Sequence, residues 1–497
     1  MRTTTPKWYQ VVAENLKNKG LKIGFVDGGQ PAKSLKLPHG VDIKEITFQT
    51  VGDDVRWKDL YPEWIDEDHP ELQKCPKIPM PCFEHYRDLN AVVATVPCPS
   101  NATNTGYDDV FRLQVNLIVA HVLVRSKKID HNDLGDREVY AVFLGSCGPM
   151  FELFRCEDLL WNDINTWIYK PDLKRLQQKV QMPVGSCQLA PRNAVESGQK
   201  WLVKNAEKPR EAYVTVIHSS EDYVCGAIVL GQSIIQTKTK RDMILLADTT
   251  ISHKSLRGLK AAGWKIKLIE RIRSPNAEKD AYNEYNYSKL RIWQLIKYDK
   301  VIFIDSDLLV LQNLDEYFSY SQLSAARNGR HIFNSGVMVI EPSRCTFETM
   351  MSKRFSIVSY NGGDQGFLNE IFRWWHRLPS KTNFLKEFSN KEFGPDHQYP
   401  ITVHAMHFLG TKPWMCYRDY DCNWDIFHYQ RFASDSAHSK WWQVFDSMPK
   451  KLKRHCKLTP EMEEDVIMNR ELAKEFNFSN GHWKINVIKD PRRTHHL

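Results

Sequence analysis

The stretch Val301-Ile302-Phe303-Ile304-Asp305-Ser306-Asp307 decides the reading of this chain. Four apolar residues predict a short buried strand, and two carboxylates at i and i+2 leave its carboxyl end. Such a pair reaches one divalent cation, or the ribose and phosphates of a nucleotide, and an oxygen-rich site of this kind suits Mg²⁺ or Mn²⁺. Alone the signal is weak, because Asp at a strand end often only hydrogen-bonds its own turn. The surroundings carry the argument.

Upstream, Ala212–His218 is a β-branched run and Tyr223–Gln236 has helical spacing of apolar residues. Met243–Ala247 reads as a strand, Ser252–Ala262 as a helix, Trp264–Ile269 as a strand and Tyr287–Ile296 as a helix. This alternation predicts βαβ units and a largely parallel α/β sheet. Ligands of such sheets bind beyond the carboxyl ends of the strands, which is where Asp305 and Asp307 fall.

Residues 1–205 read as a separate N-terminal α+β block. Its strand-like runs are Val92–Val96, Leu113–Val124 and Val139–Leu144, separated by Pro- and Cys-rich loops. The polar segment Asn205–Arg210 reads as the linker to a catalytic region over 206–430, and 431–497 as an extension packed on it. Five Lys/Arg among residues 450–457 read as a solvated patch.

The whole chain has 497 residues, enough for two or three domains. An apolar fraction of 42%, with 15 Trp, 19 Tyr and 23 Phe, excludes a mainly disordered or fibrous protein. A net charge of +8 is mild at this length and gives no sign of a nucleic-acid partner. No apolar run reaches the roughly 18–20 residues of a membrane span, and the start lacks the apolar core of a signal peptide. None of the 11 cysteines sits in a C-x-x-C pair, which speaks against a structural zinc. The odd count leaves at least one thiol unpaired; the N-terminal cysteines and Cys416/Cys422 are disulfide material of open connectivity. Sequons at Asn101, Asn286 and Asn477 favour a lumenal over a cytosolic setting only weakly.

The second chemical motif is His407-Phe408-Leu409-Gly410-Thr411-Lys412-Pro413-Trp414. His407 supplies an imidazole more at home on Mn²⁺ than on Mg²⁺. Gly410 lets backbone approach a phosphate, and Lys412 sets a point charge on it. Together with Asp305-Ser306-Asp307, these residues resemble the signature of the family 8 retaining glycosyltransferases, the glycogenin-like fold. Further motifs follow in family order: YVTVIHSSEDYVCGAIVLGQSI (213–234) with Tyr223 where an aromatic packs near uracil, and YSKLRIW (287–293) with Lys289. FNSGVMV (333–339) contributes Asn334, Ser335 and Gly336; NGGDQGFLN (361–369) contributes Asn361, Gly362, Gly363, Asp364 and Gln365. Glycogenin has Asp at the start of that last motif, so Asn361 implies a donor sugar held differently.

KWYQVVAENLK (7–17), LGSCGPMFELFRCEDLLW (144–161) and HAMHFLGTKPWMCYRDYDCNW (404–424) narrow the resemblance to the plant xylan glucuronyltransferases, over nearly the whole chain. That resemblance implies a glycosyltransferase A-type, Rossmann-like nucleotide-sugar domain. It implies retaining transfer of α-glucuronosyl from UDP-glucuronate to O-2 of xylosyl units in xylan or xylo-oligosaccharide, with Mn²⁺ (Mg²⁺ the alternative) on Asp305, Asp307 and His407. Lys412 and Lys289 would serve the active site, Asp364 and Gln365 the donor sugar, with Asp364 the nucleophile if the route is double displacement; a front-face route needs none. The loop Ala325–His331 makes Arg327 and Arg330 candidates for the donor carboxylate, with Lys289 and Arg291 next. The setting implied is the Golgi lumen, as a type II protein whose anchor lies outside this chain. Oligomeric state stays open, as do two alternatives: another family 8 transferase (galactinol synthase, starch- or glycogen-priming glucosyltransferase, pectin galacturonosyltransferase), or a non-catalytic nucleotide-sugar or glycan binder.

Overall fold

The computed structural model describes residues 5–16, 20–26, 37–38, 40–72, 75–96, 109–126, 138–191, 209–329, 331–388, 396–478, 481–488 and 492. Helix α1 (Lys7–Asn15) precedes a six-stranded sheet of β1 (Lys22–Val26), β2 (Asp42–Ile46), β3 (Ala91–Thr95), β4 (Tyr140–Leu144), β5 (Leu159–Asn162) and β6 (Thr166–Tyr169). Its order is β2-β1-β3-β4-β6-β5. The first four strands are parallel, β6 runs antiparallel beside β4, and β5 antiparallel to β6. Helices α2 (Val110–Arg125) and α3 (Leu173–Val180) complete this part.

Here the structure corrects one reading: Leu113–Val124 is not a strand but the body of α2. The helix is buried on nearly every face, so no polar stripe betrays its 3.6-residue period. Asp109 starts it by accepting from the backbone N–H of Phe111 and Arg112. Inside it, buried Gln114 donates to the carbonyls of Gln49 and Pro79.

The second sheet has the order β14-β12-β13-β10-β7-β8-β9. Strands β7 (Glu211–Ile217), β8 (Asp242–Ala247), β9 (Lys265–Leu268) and β10 (Lys300–Ile304) are parallel, with helices α4 (Val224–Gln236) and α5 (His253–Ala261) as crossovers. The helix expected over Tyr287–Ile296 is a 3₁₀ helix, Asn286–Gln294. Strand β13 (Ile332–Ile340) runs antiparallel to β10, and β12 (Ser324–Gly329) to β13. Helices α6 (Arg344–Lys353) and α7 (Asp364–Ile371) lead to β14 (His376–Arg377). A small third sheet joins β11 (Leu308–Val310), β16 (Ala405–His407) and β15 (Phe384–Leu385). The α/β architecture and largely parallel sheet expected of a glycosyltransferase A-type domain are therefore present. Most of the expected linker, 205–208, lies outside the described residues.

One core runs across both sheets, joining Leu113, Phe143 and Phe154 to Val214, Phe303, Trp293 and Trp374. Each such side chain contributes about 1.5–3 kcal/mol by leaving water. Polar ties cross the same boundary: Arg175 Nε lies 2.7 Å from Glu341 Oε2, and Cys156 is bonded to Cys345. Helices α8 (Asp435–Ser447), α9 (Lys450–Lys453) and α10 (Pro460–Glu475) fold back on the second sheet, where Trp441 and Trp442 enter its core and Cys456 is bonded to Cys225. The pairs Cys416–Cys422 and Cys75–Cys187 are also bonded, while Cys82 is free and exposed. Lys450, Lys451, Arg454 and Lys457 are exposed, as expected of a solvated patch.

Candidate active site

Pairing of β11 with β16, Leu308 opposite His407, brings the two chemical motifs together. The backbone N–H of Phe408 donates to the carbonyl of Asp307 at 3.0 Å, fixing the junction. Asp305, Asp307 and His407 each offer one ligand atom, and these atoms all lie within 4.8 Å of one another. Around them stand two lysines. Lys412 Nζ lies 2.8 Å from Asp307 Oδ2; Lys289 Nζ lies 3.2 Å from Asp305 Oδ1 and 2.6 Å from Asp364 Oδ2. Three carboxylates against two ammonium groups leave an excess negative charge, which repels a diphosphate until a cation is added.

The tautomer of His407 follows from a hydrogen-bond chain. The N–H of Gly336 donates to Asn334 Oδ1 at 2.8 Å, so that amide oxygen is an acceptor facing inward. Asn383 Nδ2 donates to the same oxygen at 2.8 Å, which turns Asn383 Oδ1 toward His407 Nδ1, 3.1 Å away. An amide oxygen only accepts, so Nδ1 carries a proton and donates it, which turns Nε2 toward Asp307, 3.3 Å from its Oδ1. An imidazole nitrogen and two carboxylate oxygens, with the ring oriented from behind, would fit a divalent cation such as Mn²⁺, which displaces any proton on Nε2. Gly336 is required by the crowding: a Cβ there would fall 2.6 Å from His407 Cε1.

Burial pushes the Asp305 carboxyl up to about 6, reinforced by Asp307 and Asp364 and resisted by Lys289. Burial also opposes the charge of Asp307, but Lys412 and His407 outweigh it and hold that carboxyl well below the usual range. Both lysines are held protonated: burial opposes their charge, and the facing carboxylates overcome it.

The remaining sequence candidates divide into groups. Ser335 and Gln365 join the cluster: Ser335 Oγ donates to Asp364 Oδ2 at 2.8 Å, and its N–H to Gln365 Oε1 at 3.1 Å. Asp364 opens α7, and its Oδ1 accepts no hydrogen bond among the described residues. Asn361 is spent on its own loop, its Oδ1 accepting from the N–H of Gly363 and Gly366 and from Ser359 Oγ. An aspartate would make the same three bonds, so the amide keeps the loop without its charge. Gly362 lies in this loop with φ +67°. In the lysine loop, Gly410 has φ +69°, and a Cβ on it would meet Asn423 Oδ1 at 2.2 Å, while Thr411 N–H donates to that oxygen at 2.8 Å. Phe408 is fully buried and its carbonyl accepts from Lys412; Leu409 is half-buried beside it. Ser306 is buried between the two carboxylates. Tyr223 caps α4, 37% exposed, with its ring edge-on to Trp414 at 5.8 Å.

Among the described residues Arg327 has no hydrogen bond or ion pair to this cluster. It pairs across the hairpin with Phe333, whose ring packs on Trp375, whereas Asn328 bonds Asn334. Its charge acts on Arg377, and no ion pair of Arg327 is found among the described residues. Arg330 lies outside the described residues. Arg291 faces Glu270 and Gln294. Sequence reasoning passed over Asn383, Tyr360 and His218. Tyr360 OH accepts from Gln365 Nε2 at 2.6 Å; His218, at the end of β7, is held neutral, burial taking it down to about 4. Asn383 and Tyr360 lie outside the quoted motifs, and His218, though inside 213–234, ends an apolar run with no second chemical residue at a fixed spacing to mark it.

Fold and site together define a nucleotide-sugar transferase, and residues 214–416 match the family described as glycosyl transferase family 8. Residues 1–187 match the GUX1-5 N-terminal domain. The chain is 48% identical over 508 residues to the putative UDP-glucuronate:xylan alpha-glucuronosyltransferase 4 of Arabidopsis thaliana, spanning 99% of this chain and 90% of that protein. It is 50% identical over 502 residues to UDP-glucuronate:xylan alpha-glucuronosyltransferase 2 of the same plant, spanning 97% of this chain and 82% of that protein. Among solved structures, the galactosyltransferase LgtC with donor and acceptor sugar analogs overlays at a TM-score of 0.37 and 18% identity, covering 49% of this chain and 99% of that one. The chain belongs to the UDP-glucuronate:xylan alpha-glucuronosyltransferase family.

Proposed function

We propose that this protein transfers glucuronosyl from UDP-glucuronate to O-2 of xylosyl residues in xylan with retention, forming an α-1,2 linkage. The observation that carries the reading is the Asp305–Asp307–His407 cluster with Lys412, in a chain alike along its whole length to the xylan glucuronosyltransferases. Asp305, Asp307 and His407 hold the cation, with Mn²⁺ preferred over Mg²⁺ because of the imidazole. When bound, that cation supplies Lewis-acid neutralisation of the diphosphate. Lys412 exchanges its contact with Asp307 for a phosphate oxygen and stabilises the charge of departing UDP. Tyr223 offers its ring to the uracil. Lys289 and Ser335 hold one oxygen of Asp364, leaving Oδ1 toward the donor sugar, and Gln365 is braced by Ser335 and Tyr360. Arg327, with no ion pair among the described residues, is the cation proposed for the C6 carboxylate.

The proposal includes a division at about 205 and 430 into N-terminal, catalytic and C-terminal parts. It places the protein in the Golgi lumen, for which four disulfides among the described residues are support, since such bonds persist in oxidising compartments. Of the sequons, Asn477 is exposed, Asn286 is followed by fully buried Tyr287 and Ser288, and Asn101 lies outside the described residues. Among those residues no helix is long and apolar enough to cross a membrane. The deciding experiment is a panel of UDP-sugars on xylo-oligosaccharides with Mn²⁺, read by product mass. A mass gain of one glucuronosyl unit from UDP-glucuronate alone is the expected result; preference for another sugar, or no transfer, refutes it.

A further inference from the structure

We propose that the groove between the Gly410–Thr411 turn and helix α10 is a second saccharide subsite, holding a xylosyl unit of the acceptor chain away from the point of transfer. The inference rests on the reading of function above and deepens it. The groove has a volume of about 440 Å³, in the range of small-ligand pockets. Asp465 and Asn469, one turn apart on α10, face Asp425 and Tyr429 across it.

The lining chooses the ligand class. Among the described residues no Lys or Arg contributes to the wall, while two carboxylates do, so an anion such as the nucleotide diphosphate or a uronate is disfavoured. A neutral pyranose suits it, with hydroxyl donors for the carboxylates and a C–H face for the Tyr429 ring. Asp425 lies in the wall, 3% exposed, and its Oδ2 accepts from Tyr420 OH at 2.6 Å, which fixes that carboxylate. Asn469 donates one N–H to the carbonyl of Asp465 at 2.8 Å, leaving its oxygen and second N–H for a sugar.

Position ties the groove to the active site. Thr411 is the neighbour of Lys412, and consecutive Cα atoms are about 3.8 Å apart, so the groove starts one residue from the lysine that reaches Asp307. Its far wall comes from residues beyond 416, outside the stretch that matches family 8. The Cys225–Cys456 bond and Arg492, donating to the carbonyl of Trp414 at 2.7 Å, hold this wall in place.

The test uses the full chain and two variants of the half-exposed Asn469: Asn469→Ala, which removes polar contacts, and Asn469→Trp, which fills the groove. Xylohexaose binding without donor is measured by calorimetry, alongside UDP binding and the KM for long xylo-oligosaccharides. Losing a ligand hydrogen bond is worth about tenfold in affinity; both variants should weaken xylohexaose binding and raise KM to that extent, with UDP affinity unchanged. Binding of xylohexaose as tight as the parent's in both variants overturns the subsite. If the parent transfers nothing to xylan, the reading of function fails, and binding alone decides the groove: no xylohexaose binding by the parent overturns it, and loss in the variants supports it.

Discussion

Asn383→Ala tests the hydrogen-bond chain behind His407. The substitution removes the bonds at 2.8 Å to Asn334 and 3.1 Å to His407. Asn334 Oδ1 keeps the N–H of Gly336, so the β13 strand retains its anchor. The loss therefore falls on the imidazole, whose Nδ1 proton is left buried and unpaired, and whose ring is free to turn or to move its proton to Nε2. Loss of such an outer partner typically costs 10–100-fold in metal affinity, which is about 1.4–2.7 kcal/mol at 1.36 kcal/mol per decade. An orphaned buried donor costs the fold about 1–3 kcal/mol besides. Mn²⁺ affinity, measured by electron paramagnetic resonance on protein whose circular dichroism matches the parent, should fall by that factor. Asn383→Asp retains an acceptor for Nδ1 and should recover part of it. Parental Mn²⁺ affinity in Asn383→Ala would show that the chain does not orient His407.

Chelation should abolish transfer, with Mn²⁺ restoring it better than Ca²⁺, and Asp307→Ala should be inactive but folded; full activity in excess chelator rules out the cation. Lys412→Ala should lower kcat by about 10²–10³ and weaken UDP binding, whereas unchanged kinetics would make it a surface lysine. Lys179, fully buried between the two sheets against His376 and the Trp374 ring, is taken down to about 7 by burial and by Arg175. The unfolded value is about 10.4, so between pH 7 and 10 the unfolded chain holds a proton the folded chain lacks, and stability rises with pH through that window. The denaturation midpoint should climb from pH 7 to 9 in the parent and less in Lys179→Met; equal slopes would refute this assignment.

What the sequence determined by itself was whatever local order encodes. Strands β7 to β10 and their crossover helices were legible because each apolar run is short, bounded, and followed by a segment of different period. Asp305, Asp307, His407 and Lys412 were legible because two compact motifs carry them, each next to a strand. Tertiary structure alone decided α2, whose burial on nearly all faces erased the periodicity that would have announced a helix. It alone paired Cys156 with Cys345 and Cys225 with Cys456, since equivalent thiols carry no address until the chain has folded. It set Arg327 opposite Phe333 across its hairpin, a matter of strand register. Asn383 and Asp425 belong to the same class. An amide and a carboxylate without a motif acquire their places from what the fold sets beside them: His407 in one case, the groove lined by α10 in the other.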